Sequence, residues 1–115
     1  MVTPETERRD GPSCSLDRVR ELAAQGSVIY ASSKIQRDMD ALGYQLSDVC
    51  TTICALEAAN FSHSERYEDS QLWLDVYLTA MLYDKKYIDR LYVKLKLSPS
   101  CMAVVLHSFH RERDT

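Results

Sequence analysis

The sequence lacks the features that mark several large classes of protein. No apolar run approaches the roughly 20 residues that cross a membrane as a helix. Residues 1–10 are polar and charged, unlike a secretory signal. The four cysteines have neither CxxC spacing nor the density of a disulfide-stapled secreted domain. These absences predict a soluble protein of the reducing cytoplasm.

Candidate metal ligands are also scarce. Cys50 and Cys54 stand one helical turn apart and could both face a metal ion. Cysteines in helices, however, more often serve as small buried apolar groups. We therefore expect no metal site and no other cofactor.

Positive charge is in deficit over the whole chain, which carries 14 Lys and Arg against 17 Asp and Glu and has a net charge of -3. Since nucleic-acid binding draws much of its affinity from lysine and arginine, this balance disfavours an RNA partner. The distribution of charge softens that conclusion, because residues 85–115 carry 7 basic and 3 acidic side chains. The C-terminal third is therefore a basic segment suited to a polyanion.

Hydrophobic patterning predicts one domain that begins with helices. A chain of 115 residues with 45% hydrophobic content is large enough for one core and too short for two. Residues 1–13 lack periodic apolar positions and predict a flexible lead-in to a single domain over residues 14–115. Apolar residues at helical spacing then predict three helices. Their expected N-caps are Ser15, Ser32 or Ser33, and Ser47, and the first two helices are expected to stop at Gly26 and Gly43.

After residue 60 the pattern changes to the period of two that is typical of strands. The predicted strand regions are Phe61–Tyr67, Leu72–Tyr83, Tyr87–Leu97 and Cys101–Phe109. Helices followed by strands predict an α+β domain whose mainly antiparallel sheet has the N-terminal helices packed on one face. The opposite face is then open for a functional site.

The clearest strand, residues 90–97, has one apolar side and one cationic side. Alternation directs Leu91, Val93, Leu95 and Leu97 to the core and Arg90, Tyr92, Lys94 and Lys96 away from it. A tyrosine among cations, with a histidine from a neighbouring strand, is suited to phosphate binding and proton transfer. A solvated strand face carries the same residue types for solubility, and His63 is also typical of a surface histidine. The pattern permits a nuclease without establishing one.

The loop between the last two strands decides which histidine joins Tyr92, since opposed residues of an antiparallel hairpin share a side of the sheet. A three-residue loop, with Leu97 opposite Cys101, places His110 on the Tyr92 side and His107 in the core. A four-residue loop places His107 opposite Tyr92 instead. We favour the first register, and the second stays open.

Six short motifs lie in order along residues 12–112. They are Leu16-Asp17-Arg18-Val19-Arg20-Glu21-Leu22, Ala41-Leu42-Gly43-Tyr44, Phe61-Ser62-His63-Ser64, Trp73-Leu74-Asp75-Val76-Tyr77, Leu91-Tyr92-Val93-Lys94 and Ser108-Phe109-His110. Together they resemble the motility quorum-sensing regulator (MqsR) toxin family. The resemblance implies a RelE-like fold, cleavage of messenger RNA without the ribosome, and inhibition by a zinc-containing helix-turn-helix antitoxin, MqsA.

The resemblance also directs attention to particular residues. Tyr92 is retained from the family's proposed active set, whereas His63 and His110 stand where the family has lysines and Leu74 where it has a glutamine. Since histidine near pH 7 serves as either base or acid, we expect a metal-independent endoribonuclease of a type II toxin–antitoxin system. The expected catalytic residues are His63, Tyr92 and His110, and the expected phosphate-binding residues are Arg90, Lys94, Lys96 and Arg111.

Two other interpretations stay open. The first is a catalytically degenerate toxin that keeps the antitoxin-binding sheet and acts only as a binding and regulatory protein, which Leu74 and the acidic net charge favour. The second is a nuclease that depends on the ribosome. Toxicity on expression distinguishes the first from a catalytic toxin, and cleavage of naked RNA argues against the second.

Overall fold

Helices occupy the first half of the described chain, and most of the sheet comes from the second half. The structure, a computed structural model, describes residues 7–66, 72–84 and 87–112. Its helices are α1 (Leu16–Ala24), α2 (Ser33–Leu42) and α3 (Leu46–Cys54), followed by a short 3-10 helix at Ala58–Asn60. Its strands are β1 (Glu7–Arg9), β2 (Val28–Tyr30), β3 (Phe61–Arg66), β4 (Leu74–Asp84), β5 (Tyr87–Leu97) and β6 (Val104–Arg111).

The six strands form one sheet in the order β1-β3-β4-β5-β6-β2. Among the strands of the described residues, only β2 runs parallel to its neighbour, β6, and the other pairs are antiparallel. This arrangement confirms the predicted α+β class with a mainly antiparallel sheet. Among the described residues, no helix is both long and apolar enough to cross a membrane.

Local sequence signals explain where α1 begins and where α2 ends. The Ser15 hydroxyl accepts a hydrogen bond from the backbone N–H of Arg18, which satisfies a free donor in the first turn of α1. Gly43 closes α2 in the left-handed region at φ 79°, a conformation that glycine adopts at little cost. Both positions confirm the predicted caps.

The N-cap predicted for α3 is wrong by two residues. Gln45, not Ser47, caps the helix, and the Asp48 carboxylate accepts a hydrogen bond from the Gln45 backbone N–H. This reciprocal pair is a capping box, which needs a carboxylate three residues after the cap. The residue three positions after Ser47 is Cys50, which has no carboxylate, and the Ser47 carbonyl accepts a hydrogen bond from the Thr51 hydroxyl.

The segment before α1 is tied to the sheet by a buried carboxylate. Residues 7–9 form the edge strand β1, where the sequence predicts part of a flexible lead-in over residues 1–13, and residues 1–6 lie outside the described part of the chain. Asp75, fully buried in β4, accepts hydrogen bonds from the backbone N–H groups of Ser13 and Cys14 at 2.9 Å. The hydroxyls of Ser13 and Ser64 also donate to this carboxylate. Asp75 thereby positions the start of α1 against β3 and β4.

The β5–β6 register differs from the one that we favoured. Leu97 stands opposite Val104, so the loop covers six residues rather than three. A bulge in β6 then follows, because Leu95 pairs with Leu106 while Lys94 pairs with Ser108, which leaves one extra residue on β6. The loop was underestimated because residues 101–103 are apolar and extend the appearance of a strand.

A continuous hydrophobic core joins the helices to the sheet. Its fully buried members include Val19 and Leu22 of α1, Met39 of α2, and Val49 and Ile53 of α3, together with Leu91, Val93, Leu95, Leu106 and Phe109 of the sheet. Tyr44, just after α2, meets Phe109 edge to face with the ring centroids 5.7 Å apart. The alternate residues of β5 therefore face away from this core.

We predict that Asp75→Asn destabilises the fold by about 2–4 kcal/mol, because charge-assisted hydrogen bonds are lost and buried donors then face an amide. Urea unfolding measures the loss. Asp38→Asn is the matched control, since Asp38 makes an exposed ion pair with Lys34 on α2 and should cost less than about 0.5 kcal/mol. Equal losses in the two variants would contradict the role given to Asp75.

Candidate active site

The side of the sheet that faces away from the core carries polar side chains, among them Tyr92, Lys94, His110 and His63. We call this side of the sheet the Tyr92 face. Opposed residues of antiparallel strands share a side, so the pairing of Tyr92 with His110 places both on this face. By the same rule Lys94 shares it with Ser108 of β6 and with Val76 of β4. His63 of β3 stands opposite Val76, which brings a third strand to the same surface.

A single carboxylate oxygen lies at the centre of these residues. Glu65 follows His63 by two positions on β3 and therefore shares its side of the sheet. The Tyr92 hydroxyl donates to Glu65 Oε1 at 3.2 Å. Lys94 Nζ lies 3.4 Å from the same oxygen, and His63 Nε2 also lies 3.4 Å from it. Residues from two different strands therefore converge on one atom.

Glu65 and Lys94 are both buried, although both lie on the side away from the core. A buried charge is costly unless it is paired and hydrogen-bonded, and each of these two residues supplies the charge opposite to the other. The positive charge of Lys94 is thus compensated within the protein. The Lys94 ammonium is therefore buried beneath the surface of the site and does not project into solvent.

His110 is held by stacking on Tyr92. The two rings are nearly parallel, with an interplanar angle of 8° and a centroid separation of 4.7 Å. His110 Nδ1 lies 2.9 Å from the carbonyl oxygen of Arg111. Stacking and this hydrogen bond fix the plane of the imidazole and the direction of each of its nitrogen atoms.

The preferred register predicted that His107 faces the core, and the structure shows this to be wrong. His107 is the extra residue of the β6 bulge, and it follows Leu106, which is buried on the core side opposite Leu95. Alternation and the proximity of Lys96 and Lys94 therefore place His107 on the Tyr92 face. Burial lowers the pKa of its imidazole, and the nearby ammonium groups of Lys96 and Lys94 lower that pKa further. His107 is consequently neutral at pH 7. His107 and His110, the two histidines between which the sequence left the choice open, therefore both lie on the Tyr92 face.

The expected phosphate-binding residues do not all join this face. Arg90 is exposed and shares the side of Tyr92 by alternation, and Lys96 lies on that side close to His107. Arg111 stands opposite the buried Leu91 and therefore belongs to the other side of the sheet. There it borders a cavity of about 310 Å³ that is also lined by Lys34, Asp38, Ala41, Leu42 and His110.

The Tyr92 hydroxyl is protonated at neutral pH. Burial raises its pKa above the ordinary value of 10.0. The Lys94 ammonium lowers that pKa, whereas the Glu65 carboxylate raises it by its charge and by accepting the hydrogen bond. Tyr92 can therefore act as a hydrogen-bond donor but not as a base.

The sequence analysis did not assign two residues, Glu65 and His107, to this surface. Glu65 could have been found by alternation, since a residue two positions after His63 in a strand shares its side. His107 was assigned to the wrong side because a bulge leaves no clear signal in the apolar pattern of β6. Among the described residues, no three His, Cys, Asp or Glu side chains are grouped so as to hold a metal ion.

The groups on the Tyr92 face can transfer protons and stabilise negative charge. Two imidazoles, His63 and His110, flank a phenol that donates hydrogen bonds, and cationic side chains lie on the same surface.

Residues 11–111 match the family described as motility quorum-sensing regulator, toxin of MqsA. No curated protein sequence matches this chain.

We predict that Lys96→Met raises the pKa of His107, because removing a nearby positive charge makes the imidazolium less unfavourable, while burial still opposes it. With only three histidines in the chain, an NMR titration can follow each imidazole separately. Lys34→Met, which removes an exposed lysine of α2, should leave His107 unchanged. An unchanged or lower pKa in Lys96→Met would contradict the placement of His107 beside Lys96.

Proposed function

Because the chain belongs to the motility quorum-sensing regulator (MqsR) toxin family, it is a toxin of a toxin–antitoxin system, and we propose that it acts as an endoribonuclease on messenger RNA. The observation that supports this activity most is the convergence of His63, Tyr92 and His110 on one surface. Glu65 contacts two of them, and ring stacking adds the third. Such a group matches the needs of phosphodiester cleavage, in which one proton is removed and another is supplied.

The proposed reaction begins at a ribose 2′-hydroxyl. One histidine accepts its proton while the 2′-oxygen attacks the adjacent phosphorus, and the other histidine gives a proton to the departing 5′-oxygen. The products are a 2′,3′-cyclic phosphate and a free 5′-hydroxyl. Tyr92, which stays protonated, donates a hydrogen bond to the negative charge that develops on phosphorus.

Phosphate binding is assigned to fewer residues than the sequence suggested. Arg90 and Lys96 lie on the Tyr92 face and can neutralise the RNA backbone. Lys94 contributes from a buried position, where its charge is shared with Glu65. Arg111 is omitted because its partner Leu91 places it on the other side of the sheet.

The family implies an antitoxin partner of the MqsA type. We propose that this partner is a zinc-containing helix-turn-helix protein, so that the zinc belongs to the antitoxin. Both act in the cytoplasm, where messenger RNA is available. Free toxin then cleaves RNA, and bound toxin is held inactive.

A second candidate function is that of a non-catalytic antitoxin-binding protein. Leu74, which replaces a glutamine in the family resemblance, is buried on the same side as Glu65 and offers no polar group. The pairing of Lys94 with Glu65 also reduces the free positive charge of the face. These two observations favour a regulatory role if the purified protein has no nuclease activity.

We predict that the purified protein cleaves naked RNA in EDTA with a bell-shaped dependence of rate on pH, as expected for one base and one acid. His63→Ala and His110→Ala should each reduce the rate by roughly 10²- to 10⁴-fold. His107→Ala is the matched control and should keep most of the activity, since His107 makes no described contact with Tyr92. Full activity in the His63→Ala, His110→Ala double variant would refute these roles.

Expression in cells separates the two candidate functions. A catalytic toxin should arrest growth when it is produced without antitoxin, and co-expression of the antitoxin should relieve the arrest. The double histidine variant should be harmless yet still bind the antitoxin. Growth arrest by that variant would contradict the proposal that toxicity arises from these histidines.

A further inference from the structure

The two ring nitrogens of His63 lie in different surroundings. Nε2 is buried and makes no hydrogen bond to any described residue, and Glu65 Oε1 lies 3.4 Å away from it. Nδ1 lies 2.9 Å from the hydroxyl oxygen of Ser62, an exposed residue at the irregularity of β3. One nitrogen therefore faces a buried carboxylate, and the other faces a hydroxyl at the surface.

This difference selects one tautomer of the neutral ring. A neutral imidazole has a proton on one nitrogen and a lone pair on the other. A lone pair on Nε2 would face the negative Glu65 oxygen and be repelled, whereas an N–H at that position is attracted to it. The Nδ1 lone pair can then accept a hydrogen bond from the Ser62 hydroxyl, so both contacts are favourable in the same tautomer.

We infer that Glu65 holds His63 with its proton on Nε2, and that Nδ1 is therefore the atom that accepts the proton of the ribose 2′-hydroxyl. This inference rests on the proposed ribonuclease activity and assigns one step of it. The position now taken by the Ser62 hydroxyl shows that a hydroxyl oxygen fits at hydrogen-bond distance from Nδ1. The ribose hydroxyl takes this place when RNA binds.

Glu65 is itself kept in place by its other contacts. The Tyr92 hydroxyl and the Lys94 ammonium both approach the oxygen that faces His63, and the carboxylate is almost fully buried. These contacts limit its freedom to turn away, so its charge stays next to Nε2. Glu65 exchanges no proton in the reaction and is a positioning residue.

The second histidine has the complementary role. The carbonyl oxygen of Arg111 only accepts hydrogen bonds, so His110 Nδ1, 2.9 Å away, must carry a proton. The nitrogen of His110 that gains and loses a proton is then Nε2. In its protonated form, Nε2 supplies the proton to the leaving 5′-oxygen.

The step balances without any further reactant. The 2′-hydroxyl proton passes to His63 Nδ1, the 2′-oxygen forms a bond to phosphorus, and the bond from phosphorus to the 5′-oxygen breaks. The departing oxygen takes its proton from His110 Nε2. Nothing is oxidised or reduced, and the two histidines exchange protonation states with solvent before the next turnover.

The first test measures the tautomer directly and needs no activity. ¹⁵N NMR of the neutral histidines should show His63 protonated on Nε2 in the wild-type protein. In Glu65→Gln the side-chain amide can donate to Nε2, so His63 should shift toward the form protonated on Nδ1. Glu65→Asp keeps a carboxylate and should preserve more of the wild-type tautomer, and Glu21→Gln, a change in an exposed ion pair of α1, should have no effect.

The second test separates the base from the acid by changing the leaving group. On RNA, both Glu65→Gln and His110→Ala should lower kcat on the order of 10²-fold or more. On uridine 3′-(4-nitrophenyl phosphate), the nitrophenolate leaves without being protonated, so His110→Ala should recover most of its rate. Glu65→Gln should stay slow on this substrate, because the 2′-hydroxyl still has to lose its proton.

Several results would overturn the inference. They are a wild-type His63 protonated on Nδ1, a tautomer that does not change in Glu65→Gln, or a Glu65→Gln rate equal to that of Glu21→Gln. Recovery of Glu65→Gln on the nitrophenyl substrate would also overturn it. If the wild-type protein cleaves neither substrate, the proposed function fails, and the NMR result alone decides whether Glu65 controls the tautomer.

Discussion

A buried carboxylate needs positive charge and hydrogen-bond donors around it, and in this protein that requirement shapes the candidate site. Glu65 lies in a sheet strand with little access to water, so leaving it unpaired would cost several kcal/mol. Tyr92, Lys94 and His63 all approach one of its oxygens. Each contact that solvates Glu65 also fixes a residue of the site, and stacking on Tyr92 extends this order to His110. The arrangement of the site therefore follows from the solvation of one charge.

A second buried carboxylate has the corresponding role for the fold. Asp75 is on the core side of β4 and accepts hydrogen bonds from the backbone of residues 13 and 14, which enter α1. Ser64, which also donates to Asp75, lies between His63 and Glu65 along β3. Alternation along one strand thus connects the two carboxylates, because neighbouring residues reach opposite sides of the sheet. Displacement of β3 would disturb the entry to α1 and the candidate site together.

The sequence was sufficient for features that depend on neighbouring residues and insufficient for those that depend on register. Ser15 and Gly43 carry their signals locally, and the alternation of residues 90–97 predicts the side on which Tyr92 lies. The pairing of Tyr92 with His110 depends instead on a six-residue loop and a bulge. The apolar pattern reveals neither of them, so the predicted register was wrong at both. The convergence on Glu65 depends on the pairing of β3, β4 and β5, which no short motif encodes. His110 was placed on the correct side, although the loop length used to place it was wrong.

The distribution of charge bears on the proposed reaction of this acidic chain with RNA. The sequence resemblance implies lysines at the positions of His63 and His110, so this chain has two imidazole rings there in place of two ammonium groups. Of the remaining cations, Lys94 is compensated by Glu65, and the neighbouring imidazole of His107 is kept neutral by burial and by the lysines. For the proposed proton transfers at this face, the orientation of the two rings matters more than the number of cations.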